Sequence, residues 1–282
     1  MGLDVKGEGH RRAREVMPRV LPDLCAGDQL IVLGQYRGKG EVEFAVKGKY
    51  LGKRKTFRFT FNPRKAKKHN SFVPRLWAGR KIAKLVDEIR RAGADLSNPN
   101  DRRRVAQDPR FQELVDEIIR LSTRFGILTE YTAFLAREGT DLAKRQAIFE
   151  EAHKNLVEKA VSTRSGWSAV SQSINNQKRA RQATLNPANE FFDDEMNQVE
   201  VRGVQQVADK AFYRQEGRWV DSSLVNKSKA DRAPARTVKF GSKEHLKIAR
   251  ELAEDGAAGS IAMDGDIMLE FEDQPVLIRS AE

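Results

Sequence analysis

The feature that most constrains the fold is an alternation of apolar and polar residues over residues 41–61, EVEFAVKGKYLGKRKTFRFTF. A period of two indicates β-strands, because successive side chains of a strand point to opposite faces. Leu51-Gly52-Lys53 supplies a turn between the two halves. The pattern predicts an antiparallel hairpin with one apolar face on a core and one Lys/Arg-rich face in solvent. The alternating apolar residues are Val42, Phe44, Val46, Phe57, Phe59 and Phe61.

A further strand is predicted over residues 28–37, DQLIVLGQYR. Three strands alone do not make a β-sandwich, so partner strands must come from elsewhere. We therefore expect residues 1–70 to form a basic antiparallel strand segment, part of a sandwich-like sheet.

Residues 71–161 change to a helical period. Apolar residues recur on one stripe over residues 73–91, and a second helix is predicted from Asp108 as N-cap to a stop at Gly126. A third helix is predicted over about residues 140–161. Between them, residues 127–136 (ILTEYTAFLA) are rich in β-branched and aromatic residues and predict a strand that returns to the sheet.

The rest of the chain divides by composition. Residues 162–199 are rich in Ser, Asn and Gln and are interpreted as a polar linker or a loosely packed helical segment. Residues 200–282 are expected to form a small α+β module, with a hairpin turn at Gln215-Glu216-Gly217 and a helix capped by Ser242. The predicted fold class is α+β: an antiparallel, sandwich-like sheet packed with a helical segment, plus this C-terminal module.

The positive charge of the chain is concentrated in its first quarter. Lys and Arg outnumber Asp and Glu by 17 to 7 over residues 1–70 and by only 34 to 33 over the remainder. A basic segment can bind an anionic partner, although a solvated strand face accounts for the same pattern. Because the phenylalanines alternate with the charges, they are expected to face the core, which disfavours a nucleic-acid stacking platform.

The sequence offers no catalytic or metal-binding constellation. Cys25 is the single cysteine, and the four histidines are scattered, so no metal and no cofactor are expected. Asp221-Ser222-Ser223 resembles the start of a D-x-S-x-S metal site, but Val225 stands where the second serine ligand would be. Phosphate-loop, nucleophile-elbow and zinc-protease motifs are absent from the sequence, so no enzyme is expected. The chain also lacks a secretory signal and any apolar run long enough to span a membrane, and its compartment is left open.

Four segments, in order, resemble one family, the region that follows the von Willebrand A (VWA) domain in bacterial proteins of the VIT-plus-VWA class, relatives of the inter-alpha-trypsin inhibitor heavy chains. They are residues 18–40 (PRVLPDLCAGDQLIVLGQYRGKG), 72–90 (FVPRLWAGRKIAKLVDEIR), 113–138 (ELVDEIIRLSTRFGILTEYTAFLARE) and 210–224 (KAFYRQEGRWVDSSL). Residues 162–199 carry no signature of that family.

The resemblance implies that the VIT and VWA domains are absent from this chain and that its strands pack as a β-sandwich-like domain beside a helical segment. It implies no metal ligand here, because the D-x-S-x-S site belongs to the VWA domain. Relatives are often exported or attached to the cell surface.

The expected function is a non-catalytic scaffold or protein-interaction region of a VIT/VWA-type adhesion protein. Its partner would be the VIT and VWA domains, upstream or in trans, with self-association as a further expectation. The alternative is a standalone binder of an anionic ligand, nucleic acid or acidic polysaccharide, with nucleic acid the less favoured. That ligand would lie on a basic strand face formed by Arg37, Lys39, Lys47, Lys49, Lys53, Arg54, Lys55, Arg58, Arg64, Lys65, Lys67 and Lys68.

Overall fold

The structure is a computed structural model, which describes residues 2–6, 13–18, 20–38, 40–66, 70, 72–93, 99–208, 210–228, 230–254 and 256–280. The chain divides into two compact units, Met1–Trp77 and Ala78–Glu282. The first boundary expected from composition, after residue 70, lies near this division. The expected divisions at residues 161 and 199 fall inside the second unit instead.

The first unit contains five described strands: β1 (Gly2–Lys6), β2 (Ala13–Met17), β3 (Leu33–Tyr36), β4 (Val42–Tyr50) and β5 (Lys53–Phe61). β1, β4 and β5 form a three-stranded sheet in that order, and β2 pairs with β3. The predicted hairpin is confirmed, with Val42 opposite Phe61 and Phe44 opposite Phe59. A β-sandwich is not confirmed.

Two predictions about this unit are wrong. The strand expected over residues 28–37 begins only at Leu33, because Asp28 closes a turn with Cys25: the backbone N–H of Asp28 donates to the Cys25 carbonyl at 3.1 Å, and the Cys25 N–H donates to the Asp28 carboxylate at 2.7 Å. The phenylalanines of β5 do not face a core. Phe57, Phe59 and Phe61 are 49%, 49% and 57% exposed.

The helices are α1 (Val73–Ala92), α2 (Pro99–Gln107), α3 (Pro109–Phe125), α4 (Arg145–Asn155) and α5 (Gly166–Ala180). α3 begins and ends as predicted: the Asp108 side chain accepts from the Arg110 N–H, and Gly126 adopts a left-handed conformation at φ 64°. The third predicted helix starts later than expected, at Arg145, and continues beyond Asn155 as a π-helical segment over Leu156–Val161.

The strand predicted over residues 127–136 is wrong. A turn at residues 129–132 leads into a 3-10 helix over Ala133–Ala136. Threonine side chains stabilise the turn locally: Thr132 Oγ1 accepts from the Thr129 N–H, and Thr129 Oγ1 accepts from the Tyr131 N–H, each at 3.1 Å. Threonine hydroxyls of this kind compete with strand pairing for the backbone, which outweighs the β propensity of the segment.

The linker predicted over residues 162–199 is structured, and its helical alternative is the better description. It contains α5 and a small hairpin of β6 (Phe191–Phe192) and β7 (Gln198–Val199). The Asn175 side chain ties the two together, because its amide donates to the Phe192 carbonyl and accepts from the Phe192 N–H, both at 2.8 Å. The buried face of α5 is thus polar and hydrogen-bonded rather than apolar.

The C-terminal region contains strands β8 (Val204–Val207), β9 (Lys210–Gln215), β10 (Arg218–Asp221), β11 (Arg236–Lys239), β12 (Ile267–Phe271) and β13 (Gln274–Arg279). They form a six-stranded sheet with both parallel and antiparallel pairs, in the order β11-β13-β12-β10-β9-β8. α6 (Lys243–Glu254) contributes Ile248 and Leu252 to a core cluster that also contains Phe212, Trp219 and Val276 of the sheet. The hairpin turn predicted at residues 215–217 is confirmed.

None of the helices in the described part of the chain combines the length and the hydropathy that a bilayer-spanning segment requires.

Candidate interaction site

An apolar groove lies on one face of the β4–β5 hairpin. The register places Phe44 opposite Phe59 and Val46 opposite Phe57, so their side chains share this face. The Phe44 and Phe61 rings meet edge to face at 5.7 Å between centroids. The groove has a volume of about 640 Å³ and a single carboxylate among its lining residues, which are Leu24, Asp28, Leu30, Val32, Phe44, Val46, Phe57, Phe59 and Phe61.

One wall of the groove comes from the segment that precedes β3. Buried Met17, Leu21 and Leu33 hold this segment in place, and the turn at residues 25–28 orients Leu24 and Asp28. The sequence interpretation did not find this wall. Residues 30–33 are continuously apolar, so no alternation indicated which side chains shared a face.

β5 is an edge strand of the sheet that the described residues form. All nine of its residues are exposed. An edge strand presents unpaired backbone donors and acceptors, which are a template for pairing with another strand. Exposed phenylalanines on the same strand add a large apolar contact surface, so both the edge and one face of β5 are open to a partner.

A second feature is the end of the hairpin, which we call the basic ribbon (residues 47–55, KGKYLGKRK). Lys47, Lys49, Arg54 and Lys55 line a groove of about 530 Å³ that also contains Asp23 and Thr56. Among the described residues, Lys49, Lys53, Arg54 and Lys55 form no salt bridge. Lys55 instead lies over the Tyr50 ring, with Nζ 4.8 Å from the centroid.

Of the twelve cations predicted as one surface, the nine that the structure describes do not lie on one face. Arg58 pairs with Glu43 at 3.4 Å. Arg37 lies just beyond β3, and Arg64 and Lys65 belong to a 3-10 helix over Pro63–Lys65. Lys39, Lys67 and Lys68 lie outside the described residues. Of the described cations, those of the basic ribbon lie close together at the end of the hairpin.

Asp221 begins the segment that resembles a metal site in sequence. Its carboxylate is buried and accepts hydrogen bonds from protein donors. Its Oδ2 accepts from Lys210 Nζ at 2.8 Å, and its Oδ1 accepts from the Ser223 N–H at 2.9 Å. Nearby, Lys227 Nζ donates to Glu270 at 2.8 Å. The Lys227 hydrogen bond lowers the pKa of the Glu270 carboxyl, assisted by Ser223 and Lys210 and opposed by burial. These contacts hold β9, β10 and β12 together.

A buried polar cluster lies among the helices of the second unit. Arg179 pairs with Glu130 at 3.4 Å, and the Tyr131 hydroxyl donates to Gln172 Oε1 at 2.9 Å. Burial raises the pKa of the Tyr131 hydroxyl, with a smaller contribution from Glu130. This cluster connects α5 to the turn after α3 and therefore has a structural role.

Comparison with known proteins adds no relative: no family model, no curated protein and no solved structure matches the chain.

Proposed function

We propose that this chain is a non-catalytic protein-interaction region whose first unit docks a partner domain through β5 and the apolar groove. The observation that carries the proposal is the exposure of Phe57, Phe59 and Phe61, about half each, on an edge strand. Large contiguous apolar patches are uncommon on monomers and mark interaction sites. The groove and the open strand edge fit one kind of occupant, a partner with a β-strand to add and apolar residues to bury.

The charge beside the groove indicates which side chains the partner would carry. Lys53 and Lys55 lie on the same face of β5 as the three phenylalanines, because every second residue of a strand points to the same side. A complementary partner would carry acidic residues around an apolar centre. The resemblance described above suggests the VIT and VWA domains as that partner and a supporting role in adhesion.

The test is a binding measurement with a matched pair of variants. Replacing all three phenylalanines by serine should abolish binding to a purified polypeptide that contains a VIT and a VWA domain, measured by titration calorimetry. It should also abolish concentration-dependent self-association in analytical ultracentrifugation, because the buried area is lost. The three side chains are exposed, so the fold should remain.

The control is Trp167→Ser with Val170→Ser, which removes two exposed apolar side chains (70% and 43%) from the second unit. This control should bind and associate like the original chain. Unchanged binding or association by the serine variant would contradict the proposal.

The alternative function is binding of a nucleic acid or acidic polysaccharide along the strand face. It is supported by Lys49, Lys53, Arg54 and Lys55 of the basic ribbon, which form no salt bridge among the described residues. It predicts affinity for heparin or an oligonucleotide that falls steeply with salt. The pairing of Arg58 with Glu43 and the exposed phenylalanines beside it shorten the basic track along β5. We therefore rank this function second.

A further inference from the structure

The turn of the basic ribbon contains a residue that is unusual for its backbone conformation. Leu51 and Gly52 both have positive φ, 49° and 76°. Such two-residue turns strongly favour Asn-Gly, because a side chain with a Cβ is strained at positive φ unless it is short and polar. Leu51 is nevertheless a leucine, and it is 84% exposed. A residue that is unfavourable both for the turn and for solvent points to a use outside the fold.

The aromatic residue next to this turn is also exposed. Tyr50 is 55% exposed and precedes Leu51 directly. The ribbon therefore presents an apolar tip of Tyr50 and Leu51.

Cations surround this tip on both faces. The register pairs Lys49 with Arg54 on one face and places Lys53 and Lys55 on the other. At a rise of about 3.4 Å per residue, all four lie within about 10 Å of the turn along the strands, which is about the Debye length at 0.1 M salt. A planar anionic surface approached tip first would attract all four together.

We propose that the tip of the basic ribbon binds the surface of an anionic lipid bilayer. Tyr50 and Leu51 enter the headgroup region, where an aromatic ring and a short apolar side chain are favourable. Lys49, Lys53, Arg54 and Lys55 contact the acidic headgroups. A linear polyanion lying along one face of the ribbon would contact two of these cations and leave Leu51 in water, so it accounts for fewer of the observations.

The experiment is co-sedimentation of the full chain with vesicles of phosphatidylcholine alone and of phosphatidylcholine mixed with phosphatidylserine. We expect binding to the mixed vesicles only, weakened by added salt. Inorganic phosphate should weaken binding no more than sodium chloride at the same ionic strength, since a free anion does not accommodate the apolar tip. Lys53→Ala with Lys55→Ala should weaken binding about 25-fold, at about fivefold per charge near the surface. Leu51→Asn should weaken it about tenfold, as expected for burial of most of a leucine side chain.

Matched controls lie in the second unit. Lys239→Ala with Lys243→Ala removes the same charge, and Leu246→Asn removes another exposed leucine. Both should bind vesicles like the original chain. Leu51→Asn creates the Asn-Gly turn that this geometry favours, so loss of binding cannot be attributed to unfolding.

Three results would overturn the proposal: equal or no binding to both kinds of vesicle, equal weakening by the controls, or tighter binding to a DNA duplex that Leu51→Asn leaves unchanged. The inference is separable from the proposed function, because the triple serine variant of the phenylalanines should still bind vesicles, and Leu51→Asn should still bind the VIT–VWA polypeptide.

Discussion

The chain contains two hairpins that are nearly the same locally. β4–β5 and β9–β10 are both antiparallel and both turn through two residues of positive φ, Leu51-Gly52 (49°, 76°) and Glu216-Gly217 (50°, 79°). Each carries aromatic residues along one strand. Taken alone, the two segments would be assigned the same structure.

Their surroundings differ completely. β9 and β10 lie inside a six-stranded sheet, where Phe212 belongs to the same buried core cluster as Ile248 and Leu252 of α6. On the other face the Tyr213 hydroxyl donates to the carbonyls of Ser122 and Thr123 in α3. β5 is exposed throughout. Alternation and turn chemistry therefore specify a hairpin, whereas elements far away in sequence decide whether its faces are covered.

The two hairpins should differ most in the loss of unfolding free energy when one phenylalanine in each is replaced by alanine. Phe212→Ala should lower the free energy of unfolding by about 3–5 kcal/mol, because it leaves a cavity in a closed core. Phe59→Ala should lower it by less than about 1 kcal/mol, since the ring is half exposed. Urea denaturation followed by circular dichroism measures both. Equal losses would show that β5 is covered in solution.

A smaller difference in the loss of unfolding free energy is expected when one tyrosine in each hairpin is replaced by phenylalanine. Tyr213→Phe removes a buried hydroxyl that donates to two carbonyls at 3.0 Å, and should cost about 1–2 kcal/mol. Tyr50→Phe should cost close to nothing, because that side chain is 55% exposed. The same denaturation measurement applies. A neutral Tyr213→Phe would mean that the contact with α3 contributes little to the covered hairpin.

The smallest effect is a pH dependence confined to the covered sheet. The lowered pKa of Glu270 means that the folded state binds its proton less readily than the unfolded state does. Its contribution is therefore present above the unfolded pKa, about 4.3, and is lost as pH falls through the lower folded value. Because the side chain is partly exposed, the contribution should stay below about 1 kcal/mol.

Glu270→Gln should remove this part of the acid sensitivity, measured by urea denaturation between about pH 6 and pH 3. Glu254→Gln, at an exposed carboxylate of the same unit, should not. Identical pH profiles for the Glu270→Gln variant and the original chain would contradict the assignment.

The elements with strong local signals were predictable. The hairpin at residues 42–61, the capped α3 and the turn at residues 215–217 follow from alternation, an N-cap aspartate and glycines of positive φ. The elements that were predicted wrongly are stabilised by polar contacts. α5 buries Gln172 and Asn175 in hydrogen bonds, so its composition resembled a linker, and Thr129 and Thr132 bend a segment whose composition favours a strand.

The candidate site was predictable only in part. The sequence contains both the cations and the phenylalanines, and alternation shows that the two sets mostly occupy different faces. It does not show that the phenylalanine face is left open, because that depends on what the rest of the chain supplies to cover it. Nor does it show that Arg58 is paired with Glu43, which leaves the cations without salt bridges at one end of the hairpin.

An edge strand with all nine residues exposed also has a cellular consequence. A partner that covers such a strand stabilises the folded chain by mass action, so the folded fraction rises with the partner's concentration. If the proposed partner covers β5, copies made in excess of it would keep the strand open to self-pairing and to proteases. The relative synthesis of the two molecules would then set how much of this chain persists.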